Sequence, residues 1–461
     1  MKIHDIDIPV KRSPVLDPEF APIGLFRKAF ERSASDGVPV ELALERDDGQ
    51  TAVLRTKVHG TPEHRDADMY YLDRCLKTLL WMKGGHRVYV HADELTVRYL
   101  QETYAEGGAR AFDAAFMEQI FGKPFEIIPT EQIPEERRAP ISGGSFTDGC
   151  RIGFDAGGSD RKVAAVQDGE CVYEEEVVWF PKLKSDPAYH YEEIVTALKM
   201  AAEHLPKVEA VGVSTAGVVL QNRIRRASLF NAVPDELWPE HVQEIYIRAV
   251  RDTFGDVPLV VANDGDVSAL AGKVSLGENN VLGIAMGTSE AAGFVDATGA
   301  ITGWLNELAF VPVDVSPDAM EDEWSGDIGC GVKYFSQDAV IKLAPRAGIS
   351  LDPELSPAEK LKVVQEKMQA NDPAAEQIYE SIGVYLGHTL AFYYVLYAMR
   401  HVLLLGRVMS GKGGDTILRT AREVLAEEYP EIADQMVLSL PDERFRRVGQ
   451  AATAAGLPAL G

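Results

Sequence analysis

The sequence predicts an α/β protein in which small and acidic residues gather at the ends of buried strands. Three observations lead there. After about residue 150, strand-like apolar runs alternate with helical patterns. Those strands end in glycines, hydroxyls and carboxylates, the position where open α/β sheets bind ligands. A stretch rich in proline, glycine and mixed charge, Pro129 to Ser145, separates this region from a shorter α/β segment before it.

The N-terminal segment supplies its own elements. Val40 to Val58 reads as two strands around an Asp-Asp-Gly turn. Tyr70, Leu72, Leu76, Leu79 and Leu80 recur at helical spacing up to Gly84-Gly85, where a helix should stop. RVYVHAD reads as a short strand, Asp93 as the cap of a helix running to about Tyr104, Ala111 to Phe121 as another helix and PFEIIP as another strand. Residues 1–145 are thus expected to form an accessory α/β domain without chemistry of its own. His86 and His91 lack nearby acidic or thiol ligands in sequence and define no metal site.

The chain of 461 residues is long enough for two to four domains, and its formal charge of -25 argues against nucleic acid or an anionic membrane as a partner. Cys75, Cys150, Cys171 and Cys330 show no metal-like spacing, and the charged start MKIHDIDIPVKR is unlike a signal peptide, so a reduced, cytoplasmic setting is expected. The apolar stretch Ile382 to Leu405 is broken by glycines, histidines and Arg400, and reads as a buried helix entering a buried strand.

Beyond the linker, RIGFDAG is a strand meeting glycines, and KVAAVQDGECVYEEEVVW is a pair of antiparallel strands turning at Asp168-Gly169. Tyr191 to Leu205 is an amphipathic helix; VEAVGVSTAG and VPLVVANDGD are further strands.

Four segments carry chemistry. In FDAGGSDRKVAAV, the backbone at Gly157, Gly158 and Ser159 can approach phosphate oxygens closely, with Lys162 nearby and Asp155 placed to orient Mg²⁺ through water. Alone, the same residues make an ordinary Asp-Gly hairpin, and they are not a P-loop. In VVANDGDVSALAG, Asp264 can accept a proton from an attacking hydroxyl while Asn263 holds a neighbouring one; Asp264 or Asp266 would also suit a helix cap. In GIAMGTSEAAGFV, the turn at Gly287, Thr288 and Ser289 can bond a β- or γ-phosphate, or simply close a hairpin. In LLLGRVMSGKGG, Gly406, Ser410 and Gly411 leave room for an adenine or ribose edge, and Lys412 reads as solvated.

In this order, DAGGSDRK, VANDGDVSALAG, AMGTSEAAGFV and LLLGRVMSG resemble the phosphate-1, acidic, phosphate-2 and adenosine motifs of the ROK family (repressors, open reading frames and sugar kinases). The resemblance runs from about Arg151 to the end. It implies a two-lobed, actin-like ATPase (ribonuclease H-like) fold: a small lobe over 146–262 and a large lobe over 263–461, with a C-terminal helix able to return to the small lobe. It also implies ATP with Mg²⁺, a sugar-like substrate, a homodimer, Asp264 as catalytic base and Asn263 as a sugar ligand. Glu307 in GWLNELAF matches the glutamate that contacts the hexose, VSTAGVVLQN with Ala216 and Gly217 matches the sugar-enclosing loop, and Asn231 matches an asparagine that follows it.

Departures from the pattern are equally specific. Ala309 and Phe310 stand where relatives carry a glycine and a histidine that binds sugar and zinc; only Cys330 remains of the zinc cysteines, and Val332 replaces a second sugar-contacting glutamate. No zinc is expected, since one thiolate cannot build a four-ligand site. A modified or different sugar is the expected substrate, with a weakly catalytic sugar or nucleotide sensor as the rival reading. The acids Asp314, Asp318, Glu321, Asp322, Glu323 and Asp327 read as a solvent-exposed loop, and Arg223, Arg225 and Arg226 as a hairpin with one solvated face.

Overall fold

The computed structural model describes residues 1–47, 49–138, 144–441 and 449–460, and its contacts divide the chain into two compact units. The first unit comprises Met1–Ala139, Ile284–Ala291 and Trp304–Leu440; the second comprises Pro140–Gly283, Ala292–Gly303 and Pro441–Gly461.

In the first unit a four-stranded sheet runs in the order Thr51–Val58, Val38–Glu45, Arg87–His91, Glu126–Pro129. The second strand is antiparallel to both its neighbours, and the last pair is parallel. Asp48 of the turn at its start lies outside the described residues, as do 139–143 of the linker. The helices Arg65–Lys83, Glu94–Tyr104 and Ala111–Phe121 fall where the spacing puts them. The Asp93 side chain accepts from the amides of Leu95 and Thr96, satisfying donors that a helix start leaves unpaired. The apolar stretch after Ile382 lies in the buried helix Pro373–Tyr397 and the strand His401–Leu405, and no described helix is long and apolar enough to cross a membrane. His388 within it is buried, with Nδ1 at 2.8 Å from the Tyr429 hydroxyl and Nε2 at 2.9 Å from the Arg12 carbonyl.

The second unit is built on a five-stranded sheet in the order Leu259–Asn263, Ala210–Thr215, Cys150–Ala156, Asp160–Gln167, Glu170–Val178. The first three strands are mutually parallel, and Asp160–Gln167 is antiparallel to both its neighbours. Alternation along the strands sends Ile152, Phe154, Val211 and Val213 into a core with Leu198 and Tyr246 from the helices Pro187–Ala202 and Ile245–Phe254. Gly153 and Gly212 alternate to the opposite face, where the helix Gln450–Ala455 lies so close that its backbone would overlap a Cβ at either position. Another four-stranded sheet runs in the order Glu290–Val295, Val281–Met286, His401–Leu405, Val437–Ser439.

Candidate functional site

In the second unit, the residues singled out from the sequence meet at the ends of the parallel strands. Asp155 lies beside Ser214 in the strand register, and Thr215 pairs with Asn263. Asp155 is buried; burial, reinforced by the charge of Asp264, pushes its carboxyl up to about 6. The turn that follows is held from below by Trp179, whose Nε1 donates to the Gly157 carbonyl at 2.8 Å, while its amide donates to that of Ser159. Gly158 and Ser159 are exposed at the tip. Lys162 is shared between Asp160 and Glu176, at 3.6 and 3.7 Å.

Asn263, rather than either aspartate, caps the helix Asp264–Leu276: its Oδ1 accepts from the Gly265 amide at 2.7 Å. Its Nδ2 donates to the Gly217 carbonyl at 2.8 Å, which ties the loop of Ala216 and Gly217 to the acidic motif. One amide proton and one lone pair of Asn263 remain for a ligand. Asp264 is half-buried, and burial raises its carboxyl above the ordinary range although the Gly265 amide bonds it. Gln450 Nε2 fixes the Asp264 carbonyl at 2.8 Å and Ser268 Oγ at 3.0 Å. Asp266 turns inward and accepts from the Phe294 amide, a structural task. Asn231 is exposed, just after the short helix Ser228–Phe230. The arginine hairpin forms, with Gln221 and Asn222 at positive φ in its turn, as a two-residue loop demands. Arg223 pairs with Glu244, while Arg226 lies over Trp238 and 3.7 Å from Asp235.

In the first unit, Thr288 and Ser289 are exposed at the tip of their turn, and the Gln337 amide holds the Gly287 carbonyl at 2.9 Å. A Cβ at Gly287 would find only the Ser289 carbonyl within 4 Å, at 3.7 Å, so the approach to this backbone is open. Gly406, at φ 93°, backs onto the Met286 main chain, which brings the strand ends before Gly287 and at Gly406 together. Arg407 Nη2 donates to Thr288 Oγ1 at 2.8 Å, and Gln365 Nε2 to the Arg407 carbonyl at 2.7 Å. Ser410 and Gly411 are exposed beside them; Lys412, read as solvated, bonds the Gln369 carbonyl and Asn371. Sequence reasoning passes over Arg407, and over Lys182 in the second unit, whose Nζ would lie 3.3 Å from a Cβ at Gly158. It also passes over Glu290, 3% exposed with neither carboxyl oxygen bonded; burial, then the charge of Glu307, drives its carboxyl far upward.

The acidic loop meets the expectation in half its members: Asp318, Glu321 and Glu323 are exposed, but Asp314, Asp322 and Asp327 are buried. Asp314 accepts from the Ala21 and Ser316 amides and the Tyr334 hydroxyl, and burial pushes it up to about 6. Asp322 accepts from the amide and hydroxyl of Ser325, and Glu323 bonds Lys333. Asp327 pairs with Arg74, Lys77 and Arg110, each carried by the N-terminal segment. The residues here do not suit zinc. Phe310 stacks on Trp81 with ring centres 4.2 Å apart, burial pushes the Cys330 thiol up to about 12, and no group of three His, Cys, Asp or Glu among the described residues could hold a metal ion.

The model of the ROK family matches residues 151–453. No curated protein sequence matches the chain significantly. Among solved structures, the ROK hexokinase from Thermus thermophilus is similar at 19% identity and a TM-score of 0.52, over 66% of this chain and 96% of that one. A ROK transcriptional regulator, a homologue of the E. coli MLC protein, is similar at 18% and 0.54, over 67% and 78%. A putative sugar kinase from Cytophaga hutchinsonii is similar at 17% and 0.51, over 67% and 99%. These likenesses establish the actin-like fold, preceded by an additional N-terminal α/β region, and they embrace kinases and a regulator alike.

Proposed function

This chain belongs to the ROK family, and on that premise we propose that it transfers the terminal phosphoryl group of ATP to a hydroxyl of a sugar or sugar-like molecule. The observation that carries this reading is Asp264: a half-buried carboxylate at a strand end, its main chain pinned by Gln450 and its carboxyl raised by burial. Such a group accepts a proton more readily near neutral pH than an exposed aspartate does. Asp264 would take the proton of the acceptor hydroxyl as that oxygen attacks phosphorus, while Asn263 and Glu307 hold neighbouring hydroxyls. The turns at Gly157–Ser159 and Gly287–Ser289 would bond phosphate oxygens through main-chain amides, and Gly406 to Gly411 would receive the adenosine.

Asp155 fits a magnesium ion held through water: it is one buried carboxylate beside a glycine turn, which suits a cation that keeps most of its hydration. When bound with ATP, that ion would neutralise charge on the phosphates. Phe310 and Val332 remove two polar groups from the hexose side, so the acceptor should differ from plain glucose where those groups would have bonded it. The same substitutions favour a second reading, a sugar or nucleotide sensor with little turnover. A screen of sugars, sugar acids and sugar phosphates for ATP consumption separates the two: consumption that depends on one added acceptor supports the kinase, and tight binding without ADP release supports the sensor.

Two further results are expected. Asp155 must be ionised to serve the cation, so at low Mg²⁺ the acceptor-dependent rate should fall as pH drops through about 6. Excess Mg²⁺, which binds the ionised form, should shift that limb downward; a limb at ordinary carboxylate pH, insensitive to Mg²⁺, would remove Asp155 from the role. Arg407→Ala frees the Thr288 hydroxyl and takes a cation from the phosphate-2 turn. Nucleotide affinity should weaken roughly tenfold by titration calorimetry, the scale of one hydrogen bond to a charged group.

A further inference from the structure

The helix Arg65–Lys83 ends in carbonyls that have no partner within the helix. Three of them accept from consecutive amides of the segment bearing Glu307: Trp81 from Glu307 at 3.0 Å, Met82 from Asn306 at 3.0 Å and Lys83 from Leu305 at 3.3 Å. Asn306 is held between them at φ 52°, with its Oδ1 accepting from the Tyr397 hydroxyl at 2.9 Å. Asparagine adopts that region at little cost, so the main-chain bonds are made without strain.

The same helix is anchored by a buried ion network. Trp81 Nε1 donates to Asp113, Lys77 pairs with Asp113 at 3.0 Å and with Asp327 at 2.9 Å, and Arg74 joins Asp327 to Asp73. Arg110 closes the network on Asp73 and Asp327, so three cations face three carboxylates. Lys77 is 0% exposed and Arg74 2%. Burial opposes ionisation of Asp327, yet Arg74 and Lys77 outweigh it and hold that carboxyl below its ordinary value. The Trp81 ring meanwhile stacks on Phe310, three residues beyond Glu307.

We propose that Trp81 and the Lys77–Asp113–Asp327 network are positioning residues for Glu307, so that the N-terminal region is a working part of the acceptor site, fastened by ion pairs and ring stacking instead of by a metal. Buried ion pairs contribute little net stability, so the fixed alignment this network gives the helix is a better account of it than stability is. This inference rests on Glu307 contacting the acceptor, and the first measurement is chosen to be independent of that.

Hydrogen exchange on the full chain reads the clamp directly. In Asp327→Asn, the amides of 305–307 should exchange about tenfold faster or more, while peptides across 151–283 stay unchanged. Trp81→Phe keeps a ring against Phe310 and loses only the indole N–H, so it should show the same localised change at smaller size and decides the matter if Asp327→Asn does not fold. Chelator treatment should leave exchange at 305–307 as it was. Unchanged exchange in Trp81→Phe, loosening spread evenly over the chain, or a chelator-sensitive 305–307 segment would each overturn the proposal. Where an acceptor is found, its KM in Asp327→Asn should rise about tenfold while the KM for ATP moves less than twofold; equal shifts in both would also overturn it. Localised exchange with no turnover on any acceptor would instead count against the kinase reading alone.

Discussion

Asp264→Asn is expected to lower acceptor-dependent ADP release by roughly 10²–10⁴-fold, the range that a positioned general base contributes. The substitution is nearly isosteric, so the contact with the Gly265 amide, the Asn263 cap and the Gln450 bond to the main chain should persist. Nucleotide affinity, measured by calorimetry, should therefore change less than about twofold. Asp266→Asn provides the contrast. Its carboxylate is buried and accepts from the Phe294 amide, so its loss should appear as a lower thermal midpoint with turnover per folded molecule retained. Unchanged turnover in Asp264→Asn would exclude it as the base, and loss in Asp266→Asn without destabilisation would point to the neighbouring acid.

What the sequence discloses and what it conceals divides along the range of the interactions. The four motifs were legible because each is a strand end with its own turn, specified by consecutive residues: the Gly157–Ser159 turn, the Asn263–Asp264 corner, the Gly287–Ser289 turn and the Gly406 corner all form locally. The arginine hairpin was legible for the same reason. Exposure of Asp318, Glu321 and Glu323 is legible in the acidic run, but the burial of Asp327 is not, because it depends on partners about 250 positions away: Arg74, Lys77 and Arg110 neutralise it, and no pattern within 314–327 announces them. Lys182 and Arg407 were missed likewise, since a cation beside a glycine turn leaves no trace in the spacing of the turn itself. That the cap is Asn263 and not Asp264 or Asp266 follows from where the strand Leu259–Asn263 ends, which residue types alone do not fix.

Gly153→Val should be among the most damaging substitutions away from the reactive groups. A side chain there meets the Ala451 carbonyl and the Ala455 amide, and these are main-chain atoms that no rotamer change can move aside. The helix Gln450–Ala455 must then retreat, opening Ala451 and Ala455 from the sheet on which they are fully buried. Overpacking together with that lost burial should cost roughly 3 kcal/mol or more, read as a clear fall in the denaturation midpoint. Retreat of the helix also withdraws Gln450 from the Asp264 carbonyl and from Ser268, so turnover should fall even in the fraction that stays folded. Gln450→Ala isolates the second effect: the denaturation midpoint should move little, while acceptor-dependent turnover drops about tenfold as the Asp264 corner loosens. A Gln450→Ala enzyme with full turnover would mean that the Asn263 cap alone holds that corner, and the damage in Gly153→Val would then be packing and nothing more.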